Sequence, residues 1–312
     1  ITVRLDVSRT TLKVEAINSN SGVNQVSHKY FGMGGEYGNY SIKNNEKIKA
    51  FGKIGFAVHT IDKYDDVPNK NGTYIIECFE NDSLVYQQTM IELDFSTNRF
   101  MNCHIDYPLF DSNRKKYQKC YVDGYNNLKI YTALKNKGVL NIEHGKTYNY
   151  LINAKDYHGN VSKLSFEIIG DSSALQKEKS KEGKLLKWNE YNELILNGAV
   201  VQLPKNTLYN NIHFPVKMVN KGNMDLESNI FEIGKSSIAI HDYYTIKIKS
   251  DNVNLDRVYL ATLNKNDNVS GVDFIKKNED GWLVFKTRTC GRYALKRDTI
   301  APKVSGSRDI TG

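Results

Sequence analysis

The feature that most narrows the fold of this chain is a two-residue rhythm of apolar side chains. It runs through Val3/Leu5/Val7, Leu12/Val14/Ala16, Tyr74/Ile76/Cys78 and Leu164/Phe166/Ile168, with polar neighbours between. Successive side chains of a strand point to opposite faces, so this spacing describes half-buried β-strands. The rhythm resumes at Leu194/Leu196, Val216/Met218, Ile246/Ile248, Val258/Leu260 and Leu283/Phe285. Turn pairs punctuate it at Asn71-Gly72, Asp123-Gly124, Asn197-Gly198 and Asp280-Gly281. Short strands joined this way predict an all-β chain of tandem β-sandwiches, Ig-like or fibronectin-like. Helical turns are expected only around 107–117 and 131–137.

At roughly 100–200 residues per domain, 312 residues make two or three domains. The run from Asp171 to Lys187 is rich in Ser, Lys and Glu and nearly free of apolar residues until Leu185. It reads as a linker between a first sandwich (1–170) and a second (188–298). Residues 299–312, opening with Thr299-Ile300-Ala301-Pro302, read as the start of a further module or a C-terminal tail. Within the first domain, Thr147 to Ser162 has the pattern of a closing hairpin. Gly159-Asn160 would supply the turn, and a tyrosine near the strand's start could anchor the corner through its hydroxyl.

No apolar run approaches the roughly 18–20 residues that span a bilayer, which points to a soluble chain. The start at Ile1, with neither Met nor a leader pattern, suggests an interior fragment or a processed chain. The net charge of +8 favours an anionic partner surface. Its lysines are interleaved with Glu and Asp, as in Lys177-Glu178-Lys179-Ser180-Lys181-Glu182, so nucleic acid is not the expected partner.

Local motifs carry little chemistry. Cys78, Cys103, Cys120 and Cys290 form no metal-ligand spacing, and their order leaves any disulfide open; buried free thiols are the simpler reading. His28, His59, His104, His144, His158, His213 and His241 are scattered singly. Cys103-His104-Ile105-Asp106 places thiol, imidazole and carboxylate together. On a strand it would be a core cysteine beside a hydrogen-bonded His104–Asp106 pair. Gly32 to Gly38 reads as a flexible loop rather than a phosphate cradle, because no helix follows it. Asp62 to Gly72 reads as a polar turn ahead of a strand at Thr73, with calcium the lesser alternative. Tyr37, Tyr40, Tyr243 and Tyr244 could stack on sugars, although packing is the commoner use of Tyr in a β protein. No catalytic or metal residue is expected, and the ligand-binding residues are undefined.

One resemblance adds to this reading. Lys53-Ile54-Gly55-Phe56-Ala57-Val58, Asp62, Asn69 to Tyr74 and Asn98 to Tyr107 resemble the non-catalytic β region of lysostaphin-type zinc metallopeptidases of Bacteroidota. The likeness continues through Asn127 to Tyr131, Lys137 to Leu140, the Asp156 to Ser162 hairpin, Val201 to Leu208, Gly291 to Leu295 and Asp298-Thr299. The family's HxxxD and HxH zinc signature is absent, so no catalytic residue carries over. The resemblance implies an accessory region of an exported cell-envelope peptidoglycan endopeptidase, in the periplasm or on the envelope. Peptidoglycan or an attached peptidase domain would be its partner, and zinc would belong only to that domain. A stand-alone surface carbohydrate-binding or protein-interaction module is the alternative. Val201 to Leu208 also resembles the opening of ZU-five-type sandwiches.

Overall fold

A computed structural model describes residues 2–4, 11–16, 27–36, 38–63, 70–122, 124–174, 182–250, 254–273, 277–279 and 281–302. The chain is all-β: twenty-seven strands are described, with helical structure confined to short turns. Two compact units emerge. One comprises residues 1–192, 204–214 and 236–242; the other comprises 193–203, 215–235 and 243–312.

In the first unit, one long strand path carries most of the architecture. Its order is 118–119, 52–58, 11–16, 27–36, 39–42, 161–170, 147–155, 75–80, 83–89 and 131–134. The closing hairpin expected for the first domain is present as Thr147–Lys155 and Val161–Gly170, in the middle of this path. Tyr150 faces Phe166 and Ile152 faces Leu164 across this pair. Tyr148, Tyr150, Ile152 and Ala154 turn inward, as do Leu164, Phe166 and Ile168. Each of the large apolar side chains among them is worth about 1.5–3 kcal/mol when fully buried. Gly159 takes φ +89 in the turn, and Asp156 locks it by accepting from Asn160 N at 2.9 Å and Asn160 Nδ2 at 2.7 Å. At the strand's start, Tyr148 OH accepts from Glu143 N at 3.1 Å.

Several local expectations are corrected. Gly32 to Glu36 is not a loop but the end of the Ser27–Glu36 strand. Gly35 serves close packing there: a side chain on it, at φ +138, would strike Asn39 O and Tyr40 Cα. Cys103 and His104 lie in a helical turn, Met101–His104, rather than a strand. Asp106 instead caps the Tyr107–Asn113 helix by accepting from Leu109 N at 3.2 Å, with Pro108 in its first turn. The helical turn expected over 131–137 is a strand, Tyr131–Leu134, followed by a tight turn at Asn136–Gly138. Ile61–Lys63 and Lys70–Asn71 pair as strands, and the part of the Asp62 to Gly72 segment over 64–69 lies outside the described residues. Within the stretch read as a linker, Lys184–Leu186 is a strand paired with Ile212–Phe214.

The second unit holds two five-stranded antiparallel sheets, in a sandwich-like arrangement. One runs 192–196, 199–203, 244–249, 282–287, 277–279; the other runs 216–219, 230–233, 291–297, 258–263, 269–273. Leu194, Ile246, Ile248, Val258, Leu260, Leu283 and Phe285 are buried as their spacing predicts, whereas Leu196, Val216 and Met218 are half-buried; Val201, Ile230, Ile233 and Leu295 complete the buried faces. Gly198, at φ +87, makes the tight Asn197-Gly198 reversal.

Candidate functional site

Two clefts in the first unit draw their lining from one tight reversal, Phe79–Asp82. Asn81 at φ 45 and Asp82 at φ 64 form the mirror-image turn whose twist matches paired strands, a conformation their short polar side chains tolerate. Asn81 N donates to Asn149 O and Asn81 Oδ1 accepts from Asn149 N, both at 2.9 Å. These bonds hold the turn against the neighbouring strand.

The larger cleft, about 540 Å³, is walled by this turn and by residues of the 135–148 stretch. Asn136 (φ 48), Lys137 (φ 57) and Gly138 (φ 78) form a second left-handed run, closed by Gly138 N donating to Lys135 O at 2.8 Å. The lining combines two ammonium groups, Lys135 and Lys146, with two carboxylates, Glu80 and Glu143, the amides of Asn81, Asn136 and Asn141, and an edge of the largely buried Tyr148. Lys146 pairs with Glu143 at 2.7 Å, and that contact raises its pKa. Lys135 forms no ion pair among the described residues. The smaller cleft, about 380 Å³, is lined by Ser41, Lys47, Phe79, Asn149, Ser165 and Glu167 among others, with Lys47 paired to Glu167 at 2.7 Å. Amides, hydroxyls and paired charges over an open floor can hydrogen-bond a hydroxylated polymer. They offer no nucleophile held by a base.

The segments singled out from sequence lie elsewhere. His104 is fully buried and bonds not to Asp106 but to Tyr131 OH at 3.1 Å through Nδ1 and to Gln118 Oε1 at 3.4 Å through Nε2. Gln118 Oε1 also accepts from Gln88 Nε2 at 2.7 Å, and Gln118 Nε2 donates to Thr60 Oγ1 at 3.0 Å. Because an amide oxygen only accepts, Nε2 carries the proton and Nδ1 accepts from the phenol. Burial pushes the imidazole down to about 4, so it is neutral at physiological pH. Cys103 Sγ donates to Phe100 O at 3.0 Å. His241 stacks on Phe100 at 4.2 Å, His144 Nδ1 accepts from Ser172 N at 3.0 Å, and His213 Nδ1 lies 3.2 Å from Gly183 O. Among the described residues, no three His, Cys, Asp or Glu side chains gather as a metal set.

Of the tyrosines proposed for stacking, Tyr40 and Tyr244 are core residues, and Tyr244 OH donates to Thr289 O at 2.6 Å. Tyr37 lies outside the described residues. Tyr243 is exposed, with the Arg288 guanidinium 4.0 Å over its ring. The most exposed aromatic of the hairpin is one the sequence did not flag: Tyr157, 77% exposed, lies edge-on to Tyr74 at 5.2 Å. The cleft residues also escaped notice, since Asn, Lys and Glu at turns read as solvated loop. The signal available was the clustering of Asn81-Asp82 and Asn136-Lys137-Gly138 at strand ends.

Comparison with known proteins gives one partial match. Residues 183–298 match the model of the Zu5-like domain family. The matched stretch contributes segments to both compact units. No curated protein matches the chain.

Proposed function

We propose that this chain is the non-catalytic β-sandwich region of an exported cell-envelope peptidoglycan zinc metalloendopeptidase. Its first unit is an Ig-like module that holds the wall polymer for an attached peptidase domain. The observation that supports the reading is the larger cleft, whose exposed wall brings together Lys135, the Lys146–Glu143 pair, Glu80 and three asparagine side chains. Peptidoglycan offers what such a surface binds: sugar hydroxyls, acetamido groups and stem-peptide carboxylates. The net charge of +8 favours approach to an anionic wall, and the residue likeness to the lysostaphin-type accessory region supports the same assignment.

The test is depletion of the purified chain from solution by insoluble peptidoglycan at low salt. The chain is expected in the pellet, and Lys135→Glu with Lys146→Glu should weaken binding at least about tenfold, two reversed charges each being worth roughly 1 kcal/mol or more. No depletion of the unsubstituted chain, or equal depletion of the variant, removes the role. The exposed Tyr157 beside Tyr74 and His158 favours a second reading, a surface carbohydrate-binding module. Affinity for defined oligosaccharides on a glycan array without wall binding would select it.

A further inference from the structure

The two clefts of the first unit adjoin, and they share more than one turn. Phe79 and Asp82 line the smaller, Glu80 and Asn81 the larger. The Thr147–Lys155 strand also serves both, giving Thr147 and Tyr148 to the larger and Asn149 to Leu151 to the smaller. The smaller cleft is bounded as well by a third left-handed turn, at Asn44 (φ 60) and Asn45 (φ 51). Turns at 44–45, 81–82 and 136–138 thus wall two neighbouring depressions.

The floor of the smaller cleft is the outer face of the sheet. Phe79 pairs with Leu151, Leu151 with Ser165 and Ser165 with Ser41, so these four stand in a row across neighbouring strands. Tyr150 and Ile152, on either side of Leu151, point into the core, which turns Leu151 outward. Phe79 and Leu151 are half-buried and Ser165 is exposed, so an apolar strip lies open between polar walls. The charges in those walls are balanced. Lys47 is held by Glu167 at 2.7 Å, Glu46 by Lys29 at 2.8 Å and Lys146 by Glu143 at 2.7 Å, while Lys135 shares its wall with Glu80. Asp82 adds a further carboxylate, and neither cleft holds a surplus of positive charge.

We propose that the two clefts are consecutive subsites for one uncharged, unbranched chain of N-acetylated sugars, laid over the Asn81-Asp82 turn. The assignment rests on the wall-binding role proposed above and narrows the bound part to the glycan strand, since stem-peptide carboxylates find no surplus cation here. A pyranose ring has a face of C–H groups that packs on Phe79 and Leu151. Its hydroxyls and acetamido groups exchange hydrogen bonds with the asparagine amides, the serine hydroxyls and the carboxylates. A sugar in one cleft alone is held weakly. A chain that fills both meets the second subsite at the high effective concentration set by its own linkage, so affinity climbs with length. Because the ligand is neutral, salt alters that affinity little.

The experiment is calorimetric titration of the full chain with oligomers of N-acetylglucosamine cut from chitin, from the disaccharide to the hexasaccharide. The hexasaccharide is expected to bind at least about tenfold more tightly than the disaccharide, and by less than about twofold differently in low and high salt. Ser165→Trp in the smaller cleft and Asn141→Trp in the larger, both at exposed positions, should each return the hexasaccharide to the affinity of the disaccharide. Equal affinity at every length in the unsubstituted chain overturns the proposal, as does a Ser165→Trp chain that holds the hexasaccharide undiminished. Depletion by peptidoglycan without affinity for any oligomer overturns it and leaves wall binding standing. Length-dependent affinity without depletion keeps the paired subsites and removes the wall as their ligand; absence of both removes the two together.

Discussion

Acidification should weaken this protein before its carboxylates titrate, and His104 sets the size of the effect. The imidazole is fully buried between Tyr131 and Gln118, and desolvation holds its pKa at about 4 against an ordinary value of 6.5. As pH falls, the unfolded chain takes up the proton first. The contribution of this residue to stability is therefore complete above about pH 6.5 and drains away between there and about pH 4. A tenfold difference in proton affinity between the folded and unfolded chain is worth about 1.4 kcal/mol. Linkage thus predicts a loss of about 2 kcal/mol between pH 7 and pH 5, and about 3 kcal/mol in full. Urea midpoints measured across this window give the slope. His104→Gln, which keeps an amide among the same partners, should flatten it, and the His104 ring resonances should remain those of the neutral form down to about pH 5. An imidazole that titrates near 6.5 in the folded protein, or an unchanged slope in the variant, would refute the assignment of a desolvated neutral ring.

Two further outcomes test packing. Arg99 donates through Nε to His241 O at 2.8 Å and through Nη2 to Ile240 O at 2.9 Å, so Arg99→Ala strips two carbonyls of charged donors. At about 1.5–3 kcal/mol per bond to a charged group, partly recovered by water, a loss of about 2–4 kcal/mol in urea unfolding is expected, and a change below about 0.5 kcal/mol would show the clamp to be idle. Gly138→Ala forces a side chain at φ +78 into Cys120 O and the Tyr86 ring, 3.0 Å from its Cδ2, and calorimetry should show a destabilisation of at least about 1–3 kcal/mol.

Where two-residue alternation is strong, the sequence is a sufficient guide. Leu164/Phe166/Ile168 and Ile246/Ile248 point inward as their spacing dictates, and Gly159 and Gly198 reverse the chain where their turn pairs predict. It fails where a local signal is overruled by neighbours distant in the chain. Gly32 to Gly35 look like a loop in isolation, yet they form a strand because Gly32 pairs with Thr11 and Met33 to Glu36 pair with Asn39 to Ile42, and at Gly35 the neighbouring backbone leaves no room for a side chain. Strand geometry suits Cys103 and His104 taken alone, but they lie in a helical turn, Met101–His104, and Asp106 is taken up as the cap of the next helix. The cleft was not legible, because Asn81, Lys135 and Asn141 converge through pairings that no single window of sequence contains.

The first unit takes in residues 204–214 and 236–242, each flanked by chain that belongs to the second. Ile240 and His241 answer to Arg99, and Tyr209 OH donates to Arg99 O at 2.6 Å. Severing the polypeptide near residue 180 would thus hand one fragment the lock and the other its keys. Recombination could not shuffle these halves like beads on a string; because the second unit's ladders also span residue 242, a viable exchange has to carry both units as a single inheritance.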